Sequence, residues 1–192
     1  MLENLPPAIG RALRAARPGL EKLTFNDPAL ADVPESIEVT SPAFVDGEAL
    51  PTRCTADGDR ISPPLAWNGV PEEAKMVALL IEDADSPTPY PLVHAIVWDL
   101  PAAAGNLSEG EMPAEAEPHE APAMGVNSLL RLGYLPPDPP PGHGPHNYAF
   151  QVFALTARPE LDTVAPGRTE LVAALRAHAV AKGMLIGTYE RK

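Results

Sequence analysis

The chain has 192 residues, enough for one sizeable core, and 45% of them are hydrophobic, which excludes a disordered polymer. Twenty-six acids against 14 Lys and Arg give a formal net charge of −12. That argues against a nucleic-acid partner, which requires a basic face. Twenty-five prolines, about 13% of the chain against ~5% in an average one, disfavour a helix bundle and favour short strands joined by loops.

In chain order, residues 1–23 stand apart. Leu5, Ile9 and Leu13 recur at helical spacing with Arg11, Arg14 and Arg17 between them, so a helix is expected over about 5–16. This stretch carries four bases and two acids, a local excess of positive charge on an acidic chain. It is read as an N-terminal helical extension ahead of a single domain over 24–192. Three roles stand for it: a helix packed on its own domain, a homodimer contact, or a membrane-surface helix. The apolar stripe is small for the last.

Short strands and turns follow. "SIEVTS" (36–41) alternates, and Leu65 and Trp67 end a turn-rich stretch that starts at Ala56. "KMVALLIE" (75–82) is apolar throughout, the pattern of a strand covered on both faces. "HAIVWDL" (94–100), "NYAFQVFAL" (147–155) and "MLIGTYE" (184–190) complete the set. Residues 102–125 hold five glutamates and no base, so a solvated loop is expected there, with His119 on its surface. A helix is expected over about 169–182, capped by Thr169, stopped by Gly183, with Leu171, Val172, Leu175 and His178 on one face. The fold class is mainly β, a sandwich of antiparallel strands with a few peripheral helices.

Cys54 is the only cysteine, so no intrachain disulfide forms and a packed, inert thiol is expected. No stretch approaches the ~18 apolar residues of a membrane span, and no signal-peptide core opens the chain. Stable membrane insertion is therefore not expected, and the expected address is the cytoplasm.

Polar residues gather where strands begin or end. Asp83 and Asp85 follow one strand, His94 opens the next, and His146 and Tyr148 open a third behind Gly142, His143 and Gly144. Strand ends can bring such residues to one mouth of a sandwich. Imidazole and phenol groups donate to an anion, and a carboxylate orients an imidazole. The same inventory also suits a metal, although no compact metal-binding spacing is present, and it also suits a purely structural role.

The order of these pieces resembles the phosphatidylethanolamine-binding protein (PEBP) family, in its bacterial Raf-kinase-inhibitor-like (YbhB/YbcL) branch. "DADSP" (83–87) with His94 is similar to that family's Asp-Pro-Asp-Ala-Pro run followed by a histidine. "PPGHGPHNY" (140–148) is similar to its Pro-Pro-x-Gly and His-Arg-Tyr signature. "DGDRISPPLAW" (57–67), "GY" (133–134) and "GTY" (187–189) extend the likeness over about 36–190. The resemblance implies an antiparallel β-sandwich and a ligand site of Asp83, Asp85, Pro87, His94, Gly142, His146 and Tyr148. The implied ligand is a small anion such as phosphate, acetate or a phosphoryl head group. No catalytic residue, metal or cofactor is implied, and a binding or regulatory role is favoured over an enzyme. The alternatives are a protease or kinase inhibitor acting through surface loops, 102–125 among them, and a hydrolase using Asp83, His94 and His146.

Three departures stand out. Ala84 and Ser86 replace a proline and an alanine of the first signature, and Asn147 replaces the arginine of His-Arg-Tyr. Losing that guanidinium removes a positive charge and a planar donor. If the arginine pairs with the acids of the first signature, Asp85 needs another partner. The tryptophans that precede the family's histidine are also missing from "PTPYPLV" (87–93), which leaves Tyr90 and His143 to fill part of the rim.

Overall fold

The structure is a computed structural model and describes residues 5–118, 120–158 and 165–191. Strands β1 (Glu38–Thr40), β2 (Leu65–Asn68) and β5 (Gly105–Leu107) form an antiparallel sheet in the order β1-β2-β5. Strands β3 (Met76–Asp83), β4 (Leu92–Leu100), β6 (His146–Leu155) and β7 (Ala179–Tyr189) form a second, in the order β4-β3-β6-β7. The sandwich of antiparallel strands expected from the sequence is present.

The apolar run of β3 follows from its place. It is paired on both sides, and every one of its residues is buried. Val77, Leu79 and Ile81 point into the core between the sheets, with Val39, Trp67, Val97 and Phe150. Met76, Ala78 and Leu80 point to the opposite face, where Phe25, Phe153, Leu171 and Leu175 form a second core. Helix α2 (Arg168–His178) and three 3-10 turns between Leu20 and Leu30 cover that second face.

Four expectations need correction. The first helix, α1, spans only Pro7–Leu13, because Pro18 and side-chain donors to the last carbonyls end it early: Arg17 Nε donates to Arg14 O at 3.0 Å. Helix α2 is capped by Gly167, whose N–H donates to Glu170 at 3.0 Å, rather than by Thr169. It stops at His178, and residues 179–182 join β7, because their pairing with β6 overrides local helix propensity. Residues 102–125 are not wholly solvated: Leu107 in β5 and Met112 and Met124 enter the inter-sheet core. His119 lies outside the described residues. Cys54 is fully buried, and burial pushes its thiol up to about 11, as a packed thiol requires. Among the described residues no helix is long and apolar enough to cross a membrane.

Gly183 is a packing residue of β7, where a Cβ would overlap the Ile37 carbonyl oxygen. Gly183→Ala is therefore expected to destabilise the fold by about 1–3 kcal/mol, read as a lower urea midpoint at unchanged slope. An unchanged midpoint would show that β7 and residue 37 separate freely.

Candidate functional site

Three carboxylates crowd the end of β3: the pleat sends Glu82 and Asp83 to opposite faces, and Asp85 follows in the turn beyond the strand. Glu82 points to the second core. It accepts from Thr24 N–H at 2.7 Å, Thr24 Oγ1 at 3.0 Å and Gln151 Nε2 at 3.0 Å, and pairs with Arg168 Nε at 2.7 Å. It is a structural anchor for α2 and the turn at residue 24.

Asp83 lies on the other face, opposite Tyr148 of β6, and His146 shares that face two residues earlier. His94 arrives there by a different route. Glu82 pairs with Val93 and Ile81 with Ala95, so His94 is the extra residue of a β-bulge. A bulge re-aims a side chain, and this one turns His94 toward the group at the strand ends. Leu135 holds it at both ends: Leu135 N–H donates to His94 O at 2.7 Å, and His94 Nδ1 donates to Leu135 O at 2.6 Å.

Asp83, Pro87, His94 and His146 line a cavity of about 310 Å³, together with Leu135 and the prolines 136, 139 and 140. Prolines with fixed φ give this wall little freedom. Asp138 also lines the cavity and is paired with Arg191 at 2.6 Å, so its charge is offset. Among the described residues no Lys or Arg lines it.

Tyr148 stands edge-on to His94, with ring centroids 5.1 Å apart. His94 Nε2 and the Tyr148 hydroxyl are the two buried side-chain polar atoms that lack a hydrogen-bond partner among the described residues. Because Nδ1 donates to Leu135, neutral His94 presents a bare Nε2. Desolvation lowers the His94 pKa against the raising influence of Asp83, so this neutral form prevails at pH 7. Burial holds the Tyr148 hydroxyl protonated far above its ordinary range.

Of the remaining residues named from the sequence, Asp85 and Gly142 sit behind the cavity wall rather than on it. Gly142 packs under Pro7 of α1. Asp85 accepts from Asn147 N–H at 2.8 Å and Asn147 Nδ2 at 2.7 Å through one oxygen, and pairs with Arg17 Nη1 at 2.8 Å through the other. Burial alone would raise its pKa, but these donors outweigh that and hold it below the usual carboxylate range. Arg17 also donates to Pro145 O at 2.7 Å and His143 O at 2.6 Å.

Arg17 is thus the partner that Asp85 requires in place of an arginine at 147. Sequence reading placed it only among the bases of the first helix. The available signal was a missing guanidinium at 147 beside three spare ones at 11, 14 and 17. His143 is not a rim residue: it is fully buried behind His146, with its Nδ1 2.7 Å from His146 Nε2. Tyr90 is 68% exposed and lies off the cavity lining.

Chemically the lining offers the imidazoles of His94 and His146, the carboxylates of Asp83 and of the Arg191-paired Asp138, and the hydroxyls of Ser86 and Thr88 among apolar residues. The Tyr148 phenol is packed against His94 and is not itself on the lining. Among the described residues no group of three or more His, Cys, Asp and Glu is arranged to hold a metal ion.

A sequence model of the phosphatidylethanolamine-binding protein family matches residues 40–190. A UPF0098 protein of Methanothermobacter thermautotrophicus is 36% identical over 149 residues, covering 78% of this chain and 95% of the relative. The crystal structure of CT736 from Chlamydia trachomatis superposes with a TM-score of 0.71 at 33% identity, covering 82% of this chain and 99% of that one. That of E. coli YbcL does so with a TM-score of 0.72 at 28% identity and the same coverage. The strand order, the two signature loops and the matched span lead to one conclusion: the chain belongs to the phosphatidylethanolamine-binding protein family.

Proposed function

We propose that the chain is a non-catalytic binding protein for a small anion, a carboxylate or the phosphoryl part of a head group, held in the cavity at the end of β3. Its single buried cysteine suits work in a reducing compartment such as the cytoplasm. The observation that carries the reading is the pair of orphaned polar atoms: His94 Nε2, on a residue that lines the cavity of about 310 Å³, and the Tyr148 hydroxyl, on the ring packed against His94. That space exceeds a bare acetate or phosphate and leaves room for the rest of a head group. A buried polar atom without a partner is costly, and a ligand oxygen would satisfy both. Tyr148 donates as it stands. His94 donates only after Nε2 gains a proton, so anion binding takes up that proton and restores the charge that burial disfavours.

His94→Ala is expected to weaken acetate or phosphate binding by roughly 10- to 100-fold, the worth of one charge-assisted hydrogen bond. Tyr148→Phe separates binding from stability. It should weaken binding roughly 3- to 10-fold while leaving the unliganded fold as stable or more so, since it removes an unsatisfied hydroxyl. Calorimetry and thermal unfolding read the two effects. Equal affinities in both variants would remove the site from consideration.

The pH dependence has a definite sign. The folded His94 pKa is lowered from the ordinary ~6.5, so acetate affinity should rise as pH falls from 8 toward 6. Acetate itself does not titrate in this range. Without ligand, the unfolded chain takes up the His94 proton first, so this residue's contribution to stability declines below about pH 6.5. Affinity that is flat or increases with pH would contradict a charged His94 in the complex.

A further inference from the structure

Behind His146 runs a chain of hydrogen bonds that leaves the cavity. Asp83 Oδ2 lies 2.8 Å from His146 Nδ1, His146 Nε2 lies 2.7 Å from His143 Nδ1, and His143 Nε2 lies 2.9 Å from the carbonyl oxygen of Leu13, at the end of α1. Both nitrogens of each ring are engaged, so the rings cannot be turned over without losing bonds. Every link needs one proton, and a carbonyl oxygen can only accept. The Leu13 carbonyl therefore requires Nε2–H on His143. Neutral His143 then presents a bare Nδ1, which requires Nε2–H on His146. Three links hold three protons, while two neutral imidazoles and a carboxylate supply two.

We infer that docking of Leu13 against His143 makes the site retain one extra proton, shared between Asp83 and His146, and that the N-terminal segment thereby sets the charge of the cavity floor. The proton comes from water, and the Asp83–His146 pair changes from a net −1 to neutral. The groups that face the chain favour this placement. Burial, then His146 and Arg17, disfavour a charged His143, so the extra proton does not rest there. Asp83 and His94 face His146 from the cavity lining, the Tyr148 ring stacks on His146 at 6.3 Å, and Arg17 with its partner Asp85 stands beside His143. With α1 undocked, both imidazoles are free to reverse. His143 then donates through Nδ1, His146 donates to an ionised Asp83, and the floor repels an anion.

The docking surface is built for close approach. A Cβ at Gly10 would overlap the Pro141 carbonyl and crowd His143 N–H, and Gly19 N–H donates to Ala84 O at 2.9 Å. Arg17 fastens the same segment to Asp85 and to the carbonyls of residues 143 and 145. The anion consequence rests on the function proposed above, whereas the proton count does not.

The test is nitrogen NMR of the histidine rings in the full chain at pH 7. His143 should carry its proton on Nε2 alone, and His146 should carry one on Nε2. A His146 protonated only on Nδ1 would overturn the inference. Gly10→Val displaces α1, and the expected result is His146 with Nδ1–H only and acetate affinity about tenfold lower, the effect of one added negative charge nearby. An undocked α1 with unchanged His146 protonation would also overturn it. Should Gly10→Val fail to fold, His143→Leu breaks the chain at its middle link and should produce the same change at His146. Wild-type protein that binds neither acetate nor phosphate would sink the anion reading and leave the ring measurement to decide the proton count.

Discussion

A central strand that ends in buried carboxylates imposes the constraint on which the rest depends. β3 is enclosed on both faces and flanked on both edges, so the acids at its end are shielded from bulk water. A buried charge without compensation is costly, and each acid must be given its own donors. Glu82 has Arg168, Thr24 and Gln151, Asp85 has Arg17 and Asn147, and Asp83 has His146 and the backbone of Asp85. Of the three, Asp83 is the one whose partner, His146, lines the cavity described above. The alternation of side chains along one strand therefore separates an acid of the second core from one that lines the cavity, at adjacent positions.

Much of this was legible from the residues. The unbroken apolar run at 75–82 signals a strand covered on both sides, and the two signature loops bring Asp83, Pro87, His94 and His146 to one place. What escaped depends on contacts across the chain. The bulge at His94 has no local signature, because it arises from a register shift against β3. β5 is a three-residue strand in a segment of Ala, Glu and Pro, and it exists because Leu107 pairs with Leu65. The stretch 179–182 reads as helix until β6 takes it as a partner, and nothing local to it signals that Lys182 is buried with its ammonium 3.0 Å from Phe25 O.

Arg17 shows how a lost group can be replaced from elsewhere. The acid it serves lies 68 positions away, so no spacing rule connects them. A guanidinium from another segment does more than an arginine at 147 would, because it also spans two carbonyls of the 143–145 loop and fixes the chain that carries it. The first segment is therefore part of the electrostatics of the site as well as its cover.

Long sequence separation also sets an order of assembly. Leu13 meets His143 across 130 positions, and Arg17 meets the His143 carbonyl across 126. Contacts of that span must repay the entropy of closing a large loop before they form. During synthesis Leu13 and Arg17 emerge well before the loop they meet, and wait while more than a hundred residues are added between them. Until the 143–147 loop has left the ribosome, Arg17 lacks the carbonyls of residues 143 and 145, and the Leu13 carbonyl lacks His143. The link between α1 and the His143 loop is then closed late, although one half of it is made long before the other.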